Sequence, residues 1–317
     1  MNAIAPKQQI IPKIMMVLDP LEMVRECGTD LELIEDQTEE ICLIAVKQNP
    51  WALRYVKEQT EWICLEAVEQ NGLTLQYVKD QTEEMCIIAV SLDPKSLAFV
   101  RDQAEGMCLI AVRSDGRVLE YVHKQTKEIC LEAVKQNSFA LHYVKRQTRD
   151  ICLEAVKRDG HSLYFVRQQS DEICLEAAKQ NGCVLSLVQR QSEEMCIEAV
   201  KQDYEFLKLV INQTEMICVE AVRANACALE YVKDQTDKIC LEAVRHDGLA
   251  LRFVKNQIEE ICSEAVKQDS YALKYVKNQT EDMCWEAIAG CEDDDDILRF
   301  IRSSDIKERI LERINEA

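Results

Sequence analysis

The chain has 317 residues, 47% hydrophobic and 30% charged, with a formal net charge of −19. A field of that sign repels phosphate backbones and anionic membrane surfaces, so nucleic acid is an unfavourable partner and no membrane partner is expected. No apolar run approaches the ~20 residues a membrane span needs.

The N-terminal stretch 1–18 reads as an extension or cap. Its apolar part, 10–18, is broken by Pro12 and Lys13 and lacks the basic start and small-residue cleavage site of a secretory leader. Sixteen cysteines without a leader imply a reducing compartment.

From residue 19 to 301 the chain reads as one continuous array. Leu21-Glu22-Met23-Val24-Arg25-Glu26-Cys27-Gly28 is a degenerate first unit, with Pro20 where later units carry cysteine. Twelve cysteines then recur every 22 residues, from Cys42 through Cys64, Cys86 and Cys152 to Cys284. A period held that strictly identifies a tandem repeat whose core grows unit by unit. Aligned at that step, Leu fills all twelve positions of the Leu53 column. Gln fills all twelve of the Gln59 column, and Ala all twelve of the Ala67 column. Ser or Thr holds ten of twelve at the Thr60 column, the exceptions being Ala104 and Ile258.

Each unit accommodates two short helices. The longer starts after the Thr60 column, whose hydroxyl can accept from a free first-turn N–H. Acidic residues such as Glu83 and Glu84 follow it, and Lys or Arg closes many copies, both matching the helix dipole. An Asn or Asp then precedes Gly, Pro or a small residue, as in Asn71-Gly72 and Asn49-Pro50. Gly there suits a left-handed helix stop and Pro suits a helix start. The second helix is expected over about Trp51–Gln59. A continuous right-handed coiled coil on an 11-residue repeat is the competing architecture. Pro50 and Pro94 argue against it, since each would cost a helix interior ~3 kcal/mol. The expected fold is all-α: an α-solenoid of stacked short αα-hairpins, 22 residues per repeat, about 12–13 repeats with terminal caps. After an insertion carrying the acidic run 292–296, Leu298-Arg299-Phe300-Ile301 echoes Leu53-Arg54-Tyr55-Val56. Residues 302–317, with Ile306, Ile310 and Ile314 at spacing four, read as a capping helix.

The cysteine column (Cys64, Cys86, Cys152) reads as packing. Neighbouring copies should stand about one helix diameter apart, beyond the ~7 Å Cα limit of a disulfide, and buried Cys behaves as a small apolar residue. No second Cys or His stands at ligand spacing, so no metal or cofactor is expected. The glutamine column (Gln59, Gln81, Gln147) reads as a structural clamp that pairs backbone groups of the inter-helix turn in its own or the adjacent unit. The Glu66 column, nine Glu and three Ile, reads as a solvated acidic stripe. The four histidines fall in different, mostly polar columns and form no catalytic pair.

The Trp51 and Arg54 columns vary from unit to unit beside this fixed frame. Candidate partner-binding residues are Trp51, Arg54, Arg117, Phe139, His142, His161, Tyr164 and Tyr271. Phe139, His142, His161 and Tyr164 supply aromatic rings of the kind that anchor interfaces.

The unit L-x-[YF]-V-[KR]-x-Q-[TS]-x-x-[IM]-C-[LI]-E-A-V-[KR]-Q-[ND]-G resembles a tandem α-helical repeat family of unknown function found in giant viruses of the mimivirus group. The resemblance covers about residues 19–301. It implies a viral protein in a host-cell cytoplasm or viral factory, or in the virion, acting in interactions. The function expected is a non-enzymatic scaffold for protein–protein contact, viral–viral or virus–host. A self-associating structural component of virion or factory is the alternative, and a thiol-rich metal or redox store ranks below both.

Overall fold

The computed structural model describes residues 19–291 and 294–316. It is 73% helical, with no strand among the described residues, and its short helices pack consecutively as an α-solenoid. The expected N-terminal cap, 1–18, and the start of the acidic run, Glu292 and Asp293, lie outside the described residues. The chain forms two compact units that divide between Glu154 and Ala155.

The repeat is a ten-residue α-helix followed by a six-residue helix, as in Glu61–Gln70 and Gly72–Tyr77. Thr60 supplies the α-helix cap, its hydroxyl accepting from Ile63 N–H at 3.5 Å. Ala104 and Ile258, which have no hydroxyl, make no side-chain cap. Ile63, Cys64, Ala67 and Val68 are buried. Leu65 and Glu66 are half-buried, and Glu69 and Gln70 are exposed.

The shorter helix differs from the expectation. It is a 3-10 helix over Pro50–Tyr55, not a helix reaching Gln59. Its ties run i to i+3: Ala52 N–H donates to Asn49 O and Val56 N–H to Leu53 O. With three residues per turn, positions three apart eclipse. Leu53 and Val56 therefore share the buried side, and Trp51 and Arg54 the outer one. The helix stops at Val56 because the next amide is claimed elsewhere. Lys57 N–H donates to the Gln37 side chain of the preceding repeat at 3.0 Å.

The junction glycine also differs from the expectation. No described residue has positive φ, so there is no left-handed stop. Asn71 is extended (φ −153°); its N–H ends one helix on Ala67 O, and its side chain caps the next at Leu73 N–H. Glycine follows for lack of room: a Cβ on Gly72 would lie 2.4 Å from Ala89 O, in the next repeat.

In the first unit the α-helices from Pro20–Glu26 to Lys127–Gln136 pack each on the next, and the 3-10 helices form a second layer. The same two layers recur in the second unit from Asp171–Gln180 to Glu281–Ala289. Asp19 caps the shortened first helix. At the other end Ser304–Glu316 lies against Glu281–Ala289. Ile310 is fully buried there, and the Arg313 guanidinium sits 4.2 Å above the Trp285 ring.

Candidate functional site

Three side-chain columns carry ties between adjacent repeats. In the first, Gln59 Nε2 donates to Leu53 O at 3.4 Å and to Tyr77 O at 2.9 Å. Its Oε1 accepts from Lys79 N–H at 2.9 Å and from the Cys64 thiol at 3.5 Å. Gln81 repeats the pattern on Leu75 O, Phe99 O, Arg101 N–H and Cys86. Gln147 holds Leu141 O and accepts from Cys152. Gln279 reaches over the insertion to Phe300 O and Arg302 N–H, so 298–301 occupies the position of one more short helix.

The other two columns were not singled out in the sequence. Lys57 Nζ donates to Ile34 O and Glu35 O, and Lys145, Lys233 and Lys255 do the same one repeat back. At the opposite end of the unit, Gln48 Oε1 accepts from Gly28 N–H at 2.7 Å while its Nε2 donates to Glu26 O. Gln136 and Gln202 likewise accept from Gly116 and Gly182 N–H, while their Nε2 atoms donate to Ser114 O and Ala178 O. The signal was the V-[KR] dipeptide and the [KR]-Q-[ND] tripeptide of the repeat; long cations and amides are usually solvated, which hides such ties from sequence.

The twelve column cysteines are buried and all sixteen thiols are free. Burial pushes every thiol of the column above its ordinary value, and Cys64, Cys196, Cys218, Cys240 and Cys284 up to about 11. Such a thiol stays protonated and unreactive at neutral pH. Cys27, Cys183, Cys227 and Cys291 are half-exposed.

The Glu66 column is paired internally. Glu66, Glu132, Glu220, Glu242 and Glu264 each meet the Lys or Arg that closes the preceding α-helix, at 2.6–3.9 Å. Those partners half-neutralise the acidic stripe before any ligand arrives.

The variable columns lie on the outer side of the short helices. From Arg54 to Arg252 every residue of the Arg54 column is exposed, and Lys274 is half-buried. In the first unit, half-buried Trp51 packs edge-on against Tyr77, ring centroids 6.1 Å apart. Arg54 lies over the Tyr55 and Tyr77 rings at 5.0 and 5.8 Å. Arg117 is exposed and pairs with Asp115 at 3.0 Å. Phe139 is exposed, and His142 meets the Tyr143 ring edge-on.

In the second unit, Tyr164 is 72% exposed and meets Phe165 edge-on. Tyr271 is engaged by the C-terminal segment, its hydroxyl 3.3 Å from Asp296 Oδ2 and its ring against Phe300. His161 brings a pairing that the column-by-column reading missed. Its Nε2 lies 3.4 Å from Cys183 Sγ, and its Nδ1 lies 3.0 Å from Asp159 Oδ1. The signal was present: 161 and 183 differ by one period, so the two share a column in adjacent repeats.

Among the described residues no group of three or more His, Cys, Asp or Glu could hold a metal ion. No described helix is long and apolar enough to cross a membrane. No curated protein matches the chain. Four segments, 105–147, 126–169, 148–191 and 237–279, match a family described as a domain of unknown function, DUF4116. Each match spans about two 22-residue repeats and together they cover under half the chain. By this measure the chain is a tandem array of a helical repeat similar to that uncharacterised family.

Proposed function

We propose that the chain is a non-enzymatic repeat scaffold that binds a protein partner through the variable outer face of its short helices. One observation carries this reading. From Trp51 to Tyr271 no residue of the Trp51 or Arg54 columns is buried, while the Ala52 and Leu53 columns between them are almost wholly buried. Sequence diversity thus falls on the exposed side of a frame that the Gln59, Lys57 and Glu66 columns tie from repeat to repeat. The internally paired Glu column makes the long-helix face the weaker candidate for a basic partner. Trp, Tyr, Phe and Arg on the outer face are the residue types that carry binding energy at interfaces. The net charge of −19 disfavours nucleic acid. The resemblance to giant-virus arrays extends the proposal to a viral or host protein partner, met in host cytoplasm or a viral factory.

The test is affinity capture with three full-length chains: native, the triple variant Phe139→Ala, His142→Ala, Tyr164→Ala, and a control, Trp62→Ala with Met216→Ala. The control residues are exposed on the first turn of long helices. The proposal expects a partner held by native and control chains and lost by the triple variant at unchanged helicity. Equal recovery by all three contradicts the assigned face. Recovery of the chain's own copies alone favours the self-associating component.

A further inference from the structure

Cys183 differs from the twelve column cysteines in both exposure and neighbours. It opens a short helix, second residue in Gly182–Leu187, with Asn181 capping its N–H at 3.0 Å. Its sulfur is half-exposed and lies 3.4 Å from His161 Nε2 of the preceding repeat. An ionised carboxylate only accepts, so the contact of His161 Nδ1 with Asp159 Oδ1 makes Nδ1 the donor and turns the Nε2 lone pair toward the thiol. Asp159 is itself fixed, because the same Oδ1 accepts from His161 N–H at 2.9 Å as the cap of the short helix Gly160–Phe165. Nucleophile, base and orienting group thus stand in sequence, the arrangement that activates a thiol. By contrast, Cys64 is buried and bonded to an amide oxygen, with no base beside it.

We propose that Cys183 is a reactive thiol, activated by His161 and Asp159, that exchanges with low-molecular-weight disulfides to form a mixed disulfide on the protein surface. His161 Nε2 takes the proton from Sγ, and the thiolate attacks one sulfur of the reagent. A new S–S bond forms to Cys183 as the reagent's own S–S bond breaks. The departing thiolate takes the proton from the imidazolium, so Cys183 is oxidised by the half of the disulfide that leaves reduced. This exchange needs only thiolate character and in-line access to the sulfur, which an open helix face provides. The proposal is independent of the protein-binding reading, and either stands without the other.

The test exposes the native full-length chain to oxidised glutathione at neutral pH and follows each cysteine by peptide mass spectrometry. The comparison chains are His161→Gln and Asp159→Asn. Both suit the frame: the His161 column also holds Leu73 and Phe139, and the Asp159 column also holds Asn137 and Asn181. The expected result is that Cys183 forms the mixed disulfide at least tenfold faster than half-exposed Cys27. His161→Gln should remove that advantage, and Asp159→Asn should cut it severalfold, with thermal midpoints unchanged. A Cys183 rate equal to that of Cys27, or one that His161→Gln leaves intact, overturns the proposal.

Discussion

Gln59 donates its side-chain amide to the carbonyl of Tyr77, 18 residues ahead and one repeat on, at 2.9 Å. The same side chain holds Leu53 O of its own repeat and accepts Lys79 N–H two residues beyond Tyr77. One residue therefore fixes both where a 3-10 helix ends and how far the next repeat is displaced. Nearest-neighbour ties of this kind are what make a solenoid's stability a sum over its interfaces.

Removing one clamp should therefore be costly. Gln81→Leu strips Leu75 O, Phe99 O and Arg101 N–H of a shared partner. An unpaired buried polar group costs about 1–3 kcal/mol, and the loss expected here lies in that range. Gln81→Glu keeps the acceptor and loses the donor, so it should fall between native and Gln81→Leu. Urea midpoints rank the three chains, and an unchanged midpoint for Gln81→Leu would remove the clamp from the account.

Two glycines should respond oppositely to alanine. A Cβ on Gly72 meets Ala89 O at 2.4 Å and Ser96 Oγ at 2.9 Å, whereas one on Gly106 meets nothing within 4 Å. Gly72→Ala should destabilise the chain by forcing adjacent repeats apart. Gly106→Ala, in the first turn of Glu105–Ser114, should stabilise it by up to ~1 kcal/mol through helix propensity. Thermal melting of the two variants checks the signs.

Alkaline pH should weaken the fold through the cysteine column. Burial raises these thiols from an ordinary 9.0, with Cys64 and Cys240 reaching about 11. Above pH 9 the unfolded chain gives up thiol protons that the folded chain keeps, so it binds fewer protons and stability falls as pH rises. The contribution is whole below pH 9 and is lost by about pH 11. Melting temperature should drop across that window, less steeply in a Cys64→Ala, Cys240→Ala chain. Identical slopes in the two chains would acquit the thiols.

The repeat period, the Thr60 caps and the layer of Leu53, Ala67 and Val68 were legible because each recurs in ten or more of the twelve copies and obeys a local rule. The 3-10 form of the short helix was not, because its end at Val56 is set by Gln37 of the preceding repeat rather than by anything between Pro50 and Gln59. Gly72 misled for a similar reason: its constraint is a carbonyl 17 residues ahead, not its own φ. The outer face was visible as variation at Trp51 and Arg54. The pairing of His161 with Cys183 required treating successive members of one column as spatial neighbours, not only as variants of one position. Tyr271 could not be known to meet Asp296 and Phe300, because the insertion breaks the period there.

Amide hydrogen exchange on the full-length chain, with and without its captured protein partner, locates the binding face. The account predicts slowed exchange in the short helices, such as Pro50–Tyr55, Ser138–Tyr143 and Gly160–Phe165, with the first turns of the long helices unchanged. Protection confined to the long helices, at Glu61–Gln70 or Glu215–Ala224 for example, would contradict it.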